Sequence, residues 1–224
     1  MKDNLNKLLD IRNQTDTKAD LFIYGEIVSE WYETLSSADQ YPNKIKHFLD
    51  GLDGQELNIY INSVGGNVFA GIAIYNQLKR YTGRKVVHVD GVAASIASVI
   101  AMAGDEIVMP SNAMLMIHRA SVGVYGNIAD LQRYAEVLRE IDDNILKTYA
   151  DRLINPADID EIKRLMDNET YLTAEETNAF FKGVTLTAPL AIAAKADNAK
   201  NHFALMREAE MIEILKLKGG NHNG

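Results

Sequence analysis

Short apolar runs alternate, along the first half of the chain, with stripes of apolar residues at helical spacing. The runs are rich in β-branched residues and end at glycine or polar residues, which predicts buried strands. These predicted strands are 19–25, 57–61, 85–89, 106–109 and 113–117. The stripes predict helices around 45–49, over 68–78 and from the Ser95 region to residue 103. This alternation is typical of an α/β layer with parallel strands.

The second half of the chain has mainly helical periodicity. Residues 121–126 lack it, so we expect a flexible segment there, followed by a long helix from about 127 to 153. Asn127 and Asp130 have the spacing of an N-terminal cap. Apolar residues recur every seven positions, at Leu131, Leu138 and Ile145, with Tyr134 and Ile141 between them. Such a stripe packs against another helix, either in the core or at an oligomer interface.

Two shorter helices are predicted over 156–166 and 174–182, the second capped by Thr173. The chain after them is helix-forming and ends in a polar, glycine-containing stretch that we expect to be disordered. The predicted organisation is an N-terminal arm over 1–19, one main domain over 20–198 and a helical tail over 199–224.

The composition is that of an ordinary globular protein. With 224 residues, 47% hydrophobic and 24% charged, the chain is long enough to bury a substantial core. It has no apolar stretch near the roughly 20 residues that cross a bilayer and no apolar signal core, so we expect a cytoplasmic protein. A formal net charge of −8 disfavours nonspecific binding to nucleic acid or anionic membranes.

The chain has no cysteine, which excludes disulfides, thiolate metal sites and cysteine nucleophiles. Among its five histidines no pair has the short spacing of metal ligands, so we expect neither a metal nor another cofactor. Hydroxyl, imidazole and carboxylate chemistry remain.

Ser95 lies in a run of small residues over 91–98. One interpretation is structural: a small residue or a helix N-cap fits where alanine-rich packing leaves no room for bulk. The other is a nucleophile at a helix start, where the amide of Ile96 helps to stabilise an oxyanion. The run is not Gly-x-Ser-x-Gly, which disfavours an α/β-hydrolase.

His118 directly follows the predicted strand 113–117, 23 residues after Ser95. A serine hydroxyl is a poor nucleophile at neutral pH until a neighbouring imidazole accepts its proton. His118 is the best candidate for that base, because the other histidines lie in a charged helix, within a strand or in the tail. A structural role at the strand end is the alternative.

Residues 62–66, Asn-Ser-Val-Gly-Gly, lie between the strand 57–61 and a helix, so we expect a glycine-rich turn. Backbone amides exposed by such a turn bind an anion or serve as an oxyanion hole. The turn is neither Gly-x-Gly-x-x-Gly nor a lysine-bearing P-loop, which makes a nucleotide site a weak interpretation.

Four short sequences occur in order along the chain. They are Tyr60-Ile61-Asn62-Ser63-Val64-Gly65-Gly66, Ala93-Ala94-Ser95, Met116-Ile117-His118 and Tyr171-Leu172-Thr173-Ala174-Glu175-Glu176. With these anchors, residues 20–184 resemble the Clp protease proteolytic subunit (ClpP) family, in particular its relatives from phages and prophages. The resemblance implies an α/β fold of the ClpP/crotonase type, with stacked β-α units and a long helix that protrudes as a handle.

The resemblance assigns roles to four residues. It implies that Ser95 is the acylating nucleophile and that His118 is the general base and then the general acid. It also implies that the backbone amides of Gly66 and Ile96 form the oxyanion hole. Removing one such donor typically lowers the rate by about 10²- to 10³-fold.

Two carboxylates are candidates for the third member of a catalytic triad. The aspartate position of the family falls on Glu169, and Asp167 is the nearby alternative. A glutamate orients an imidazole as an aspartate does, provided that its longer side chain is accommodated. The resemblance further implies that an extended substrate lies beside the Gly123 segment as an added strand.

Family members form stacked rings, commonly of seven subunits, that enclose the serines in a chamber. The resemblance therefore implies a homo-oligomer that cleaves unfolded or threaded polypeptides. Val64 stands in place of a family proline and Val92 in place of a common glutamine, and residues 1–19 lack the apolar axial-loop pattern. These departures argue against coupling to a Clp ATPase and favour a role in phage head maturation.

We therefore expect a serine endopeptidase that hydrolyses peptide bonds inside an oligomeric chamber, with phage capsid or scaffold proteins as substrates. Two alternatives stay open: a housekeeping subunit that depends on a Clp ATPase, and a catalytically silent scaffold that forms rings. The related crotonase fold uses similar oxyanion turns for acyl-CoA, but the order of Ser95 and His118 argues against it.

Overall fold

A computed structural model of the chain describes residue 15 and residues 17–189. The described residues belong to one compact unit, which ends at Pro189. The predicted tail, the predicted domain boundary after residue 198 and most of the predicted arm lie outside the described residues.

Seven strands and six helices make up the described part of the chain. The strands are β1 (Lys18–Ile27), β2 (Glu56–Gly66), β3 (Lys85–Ala94), β4 (Glu106–Pro110), β5 (Met114–Ile117), β6 (Thr170–Thr173) and β7 (Val184–Thr187). The helices are α1 (Pro42–Asp50), α2 (Val68–Arg80), α3 (Ile96–Ala101), α4 (Ile128–Ala150), α5 (Ile159–Asp167) and α6 (Ala174–Phe180). Short 3₁₀ turns cover Trp31–Glu33 and Pro156–Asp158. The predictions of β1 to β5 and of all six helices are confirmed, whereas β6 and β7 are additional strands.

All seven strands belong to one sheet. Strands β1, β2, β3, β4 and β7 lie side by side in that order, each parallel to its neighbours. Strand β3 pairs with two partners along its length: residues 86–88 pair with β4 and residues 92–94 with β5. The predicted parallel α/β layer is confirmed, with the exception that β6 pairs antiparallel with β5.

The prediction of a glycine-rich turn at 62–66 is wrong, because β2 continues through these residues. Ile27 of β1 lies opposite Gly66, beyond a shift in register between the two strands. Gly65 and Gly66 have φ values of +96° and +141°, which favour glycine. They bend the end of the strand while keeping it in the sheet. Asn67 then caps α2 directly.

The core lies between the sheet and the helices that pack on it. Alternate residues of β2 are fully buried, as Ile59 and Ile61 illustrate. All six residues of α3 are buried against β2, β3 and α2, as the run of small and apolar residues predicts. This buried helix begins directly after Ser95, which is itself partly buried.

Helix α4 has a packed end and an exposed end. Its capping box of Asn127 and Asp130 is present as predicted. The buried residues of α4, all in its C-terminal half, are Asp142, Ile145 and Tyr149. Large apolar residues of the other half are exposed, namely Ile128, Leu131, Tyr134 and Val137. Core packing therefore explains only the C-terminal part of the predicted stripe.

The part of the chain that the structure describes contains no helix that is both long and apolar enough to cross a membrane. Within the same residues, no three His, Asp or Glu side chains are grouped so that they could hold a metal ion.

Candidate active site

Ser95 is the single residue between β3 and α3. Its backbone has φ 55° and ψ −128°, and such sparsely populated conformations cost about 1–3 kcal/mol. Its N–H donates to the carbonyl of Met116 on β5 at 3.0 Å, which ties the turn to a neighbouring strand. Gly-x-Ser-x-Gly enzymes also carry their serine on a sharp, strained strand-to-helix turn. This chain forms the same kind of turn with a different sequence.

The pairing of β3 with β5 brings His118 to Ser95. The two strands are parallel with Ala94 opposite Met116, so their carboxyl ends lie at the same edge of the sheet. Ser95 and His118 are the residues that follow these ends. Ser95 Oγ and His118 Nε2 are 2.7 Å apart, and both residues are partly buried. The structure thus joins the predicted nucleophile and base at a distance suited to proton transfer.

The end of β2 lies against the Ser95 turn. A Cβ at Gly65 would be 2.7 Å from Ser95 Cβ and 2.8 Å from the Ala94 carbonyl oxygen. Any larger residue here would displace the turn, so Gly65 belongs to the site. Sequence reasoning does not single out Gly65, although two glycines at the end of a strand pattern are a signal for close backbone approach.

Two polar side chains of the first sequence anchor, residues 60–66, hold the end of β2 in place. Ser63 Oγ donates to the Gly25 carbonyl at 2.6 Å and accepts from the Gly65 N–H at 3.1 Å. Asn62 Oδ1 accepts from the Val92 N–H of β3 at 3.3 Å. The asparagine and serine of this anchor therefore act through backbone hydrogen bonds to the neighbouring strands.

The predicted oxyanion donors, Gly66 and Ile96, belong to the two segments that meet at the Ser95 turn. Ile96 is the first residue of α3, so its N–H has no acceptor within that helix. Gly66 is the last residue of β2, directly after the glycine that contacts the turn. The role of both amides as oxyanion donors stays a prediction.

Glu169 lies at the end of the β5–β6 pair that also carries His118. Ile117 is opposite Thr170 in this antiparallel pair, so His118, which follows β5, and Glu169, which precedes β6, flank the same end of the pair. Glu169 has φ 47° and an exposed side chain. Among the described residues, no carboxylate makes a hydrogen bond to His118.

Asp167 has a different partner. Its carboxylate accepts a hydrogen bond from Arg119 Nε, and this contact lowers the pKa of the Asp167 carboxyl below its usual value. Arg119 also donates from Nη1 to Asp142 of α4 at 3.1 Å. Asp167 is therefore directed to the guanidinium rather than to the imidazole of His118. The choice between Glu169 and Asp167 as the triad acid stays a prediction.

Gly123 lies in an open segment. The structure describes all of residues 118–127 and forms neither helix nor strand there. Gly123 is exposed, and apart from Gly123 itself and its two neighbours in sequence no heavy atom lies within 4 Å of the position a Cβ would take there. This leaves room for an extended peptide to pair with the backbone, and the predicted role in substrate binding stays a prediction.

Comparison with known families identifies the chain. The sequence profile described as Clp protease matches residues 4–181, which include every predicted site residue. The chain belongs to the Clp protease family. The resemblance predicted from the four anchors is confirmed at this level, and assignment to the phage and prophage branch stays a prediction.

Three relatives of this family carry the name ATP-dependent Clp protease proteolytic subunit. The protein of Deinococcus radiodurans is 33% identical over 125 residues, 54% of this chain and 60% of the relative. That of Bacteroides thetaiotaomicron is 30% identical over 137 residues, 59% of this chain and 61% of the relative. Proteolytic subunit 1 of Chlamydia caviae is 28% identical over 181 residues, 79% of this chain and 91% of the relative. The matched region thus spans about three fifths of the first two Clp proteins.

We predict that Gly65→Ala destabilises this Clp-family fold. Its Cβ would overlap the Ser95 turn at a residue with positive φ, at a cost of about 2 kcal/mol or more. The thermal midpoint should fall by about 4 °C or more. Gly51→Ala is the matched control, since Gly51 has φ −84° and its added Cβ would lie 3.4 Å from the nearest atom. Equal midpoints for the two variants would contradict the packing described here.

The resemblance implies that Glu169 is the triad acid, and on that basis we predict that Glu169→Gln lowers kcat for a fluorogenic peptide by about 10⁴-fold, because an amide does not stabilise an imidazolium. Asp167→Asn removes an exposed ion pair with Arg119 and should lower kcat by less than about tenfold. Steady-state kinetics compare the kcat of each variant with that of the wild type. Sedimentation velocity checks that the variants assemble normally. A large loss in Asp167→Asn alone would assign the acid to Asp167, and full activity in both would exclude a required third member.

Proposed function

We propose that the protein is a serine-type endopeptidase. The observation that carries the proposal is the 2.7 Å contact between Ser95 Oγ and His118 Nε2 at a strained turn. A histidine that only fills the end of a strand does not require a serine in a costly backbone conformation beside it. Membership in the Clp protease family and the names of the three relatives support the same activity.

In the proposed reaction, His118 Nε2 accepts the Ser95 hydroxyl proton while Oγ forms a bond to the scissile carbonyl carbon. The N–H groups of Ile96 and Gly66 donate to the oxyanion of the tetrahedral intermediate. The imidazolium then protonates the leaving amine as the peptide C–N bond breaks, which leaves an acyl-enzyme. Water that loses its proton to the same imidazole hydrolyses the ester and restores Ser95. Glu169 is the carboxylate proposed to hold the imidazolium.

Assembly into stacked rings, commonly of seven subunits in this family, is part of the proposal. The N-terminal half of α4 supports it, because several large apolar residues there face solvent in the single chain. Ile128 is 76% exposed, and Tyr125, just before the helix, is 98% exposed. A chamber formed by such rings limits cleavage to unfolded or threaded polypeptides, which would bind as extended strands beside Gly123.

The proposed substrates are phage capsid or scaffold proteins, processed in the cytoplasm without a Clp ATPase. The support lies in the sequence, where Val64 and Val92 replace residues common in the family and residues 1–19 lack an apolar axial-loop pattern. A housekeeping subunit that depends on a Clp ATPase is the alternative, and it matches the names of the three relatives.

Ser95→Ala should lower kcat for a fluorogenic peptide by about 10⁴- to 10⁶-fold, because the variant lacks the attacking oxygen. Ser37→Ala, which removes an exposed hydroxyl elsewhere, is the matched control. Sedimentation velocity on both variants checks that assembly is unchanged. Hydrolysis that persists in Ser95→Ala would refute the proposed mechanism, whereas assembly of an inactive wild type would support the silent scaffold.

Cleavage of an unfolded polypeptide should proceed without ATP, and adding a candidate Clp ATPase with ATP should not change its rate. The reason is that residues 1–19 lack the apolar axial-loop pattern and that Val64 and Val92 replace residues common in the family. The measurement compares casein with a stably folded substrate, each with and without the ATPase. Strict ATP dependence for both substrates would favour the housekeeping alternative.

A further inference from the structure

A buried hydroxyl pair links α4 to the Ser95 turn. The Tyr149 hydroxyl and Ser98 Oγ are 2.7 Å apart, and both residues are buried, with relative exposures of 1% and 0%. Ser98 Oγ donates to the carbonyl oxygen of Ser95, so the Tyr149 hydroxyl is the donor in its contact with Ser98. Burial raises the pKa of Tyr149, so the phenol stays protonated and is able to donate. The result is a directed chain from Tyr149 to Ser98 to Ser95.

These hydrogen bonds end at the Ser95 carbonyl oxygen, which belongs to the same peptide group as the Ile96 N–H, the predicted oxyanion donor. The Ser95 carbonyl and the Ile96 N–H share one planar peptide unit, and in a trans peptide the two groups point in opposite directions. Whatever fixes the carbonyl therefore fixes the direction of the N–H. Ser98 contacts this carbonyl twice, through its hydroxyl and through its backbone N–H at 3.0 Å.

Packing alone does not require the hydroxyl groups of Ser98 and Tyr149. Alanine and phenylalanine would fill nearly the same volume at positions 98 and 149 without burying polar groups. The hydrogen bond from Ser98 does, in contrast, help to hold the turn. Ser95 has φ 55°, and strained conformations persist only when neighbouring contacts hold them. Donation to the carbonyl also polarises the peptide unit and strengthens the N–H as a donor.

We propose that Ser98, with Tyr149 as its donor, is a positioning residue that aims the Ile96 N–H at the oxyanion site. The inference rests on the proposed function, which supplies the oxyanion. It assigns no contact with substrate to either residue. It makes α4 a support for the nucleophile turn as well as a candidate contact between subunits.

Kinetics of three variants test the proposal. Ser98→Ala should lower kcat by about tenfold, less than the loss of a whole oxyanion donor, and should leave KM unchanged. Tyr149→Phe should have a smaller effect in the same direction. The double variant should be no slower than Ser98→Ala alone, because both residues act through one hydrogen-bonded chain. If the losses in kcat of the two single variants multiplied in the double variant, the two residues would act independently and the proposal would be contradicted.

Affinity for a peptide boronate separates positioning from general packing, because the tetrahedral adduct places an oxygen in the oxyanion hole. Its inhibition constant should rise in Ser98→Ala by the same factor by which kcat falls. Ile145→Val is the packing control, since Ile145 lies on the same buried face of α4. It should lower thermal stability and change neither kcat nor the inhibition constant. Equal effects of Ile145→Val and Ser98→Ala on inhibition would refute the proposal.

Crystal structures of the wild type, Ser98→Ala and Ile145→Val give a readout that needs no activity. The peptide plane between Ser95 and Ile96 should rotate or become disordered in Ser98→Ala only. An unchanged plane in Ser98→Ala would overturn the inference. A wild type that neither hydrolyses peptides nor binds the boronate would refute the proposed function instead, whatever the orientation of this plane.

Discussion

The parallel pairing of β3 with β5 is the constraint on which the proposed site depends. It brings together two strand ends whose following residues, Ser95 and His118, are 23 positions apart in the chain. The Ser95 N–H donates to the Met116 carbonyl and extends the pairing beyond the end of β3. A slip of one residue in β5 would send His118 to the opposite face of the sheet. The 2.7 Å contact between hydroxyl and imidazole therefore depends on this register.

Backbone strain is concentrated around the same pair. In the part of the chain that the structure describes, Ser95 and Glu169 are the two residues other than glycine with positive φ. Strained residues cluster at functional sites, where neighbouring contacts hold them. Ser95 is held by the close approach of Gly65 and by the Ser98 hydrogen bonds. Glu169 directly precedes β6, at the end of the β5–β6 pair that His118 follows.

Local patterns predict β1 to β5 and all six helices because each has its own periodicity, and they fail where distant pairing decides. Gly66 lies in a sequence typical of a turn, but it stays in the sheet opposite Ile27. Strands β6 and β7 have no run of buried apolar residues, unlike the equally short β5, so no pattern marks them. Ser95 and His118 are predictable as a pair through the order of the four anchors, since each alone has a structural explanation. The Ser98–Tyr149 contact joins residues 51 positions apart and leaves no local signal.

Labelling with a fluorophosphonate, followed by peptide mass spectrometry, reports whether Ser95 is an activated nucleophile. A serine activated by a neighbouring imidazole attacks the phosphorus atom, whereas an ordinary serine is unreactive at neutral pH. We expect a single labelled residue, Ser95, and loss of the label in His118→Ala with assembly intact. A label on another serine, no label in the wild type, or a label on Ser95 that survives His118→Ala would show that His118 does not activate Ser95 as a nucleophile.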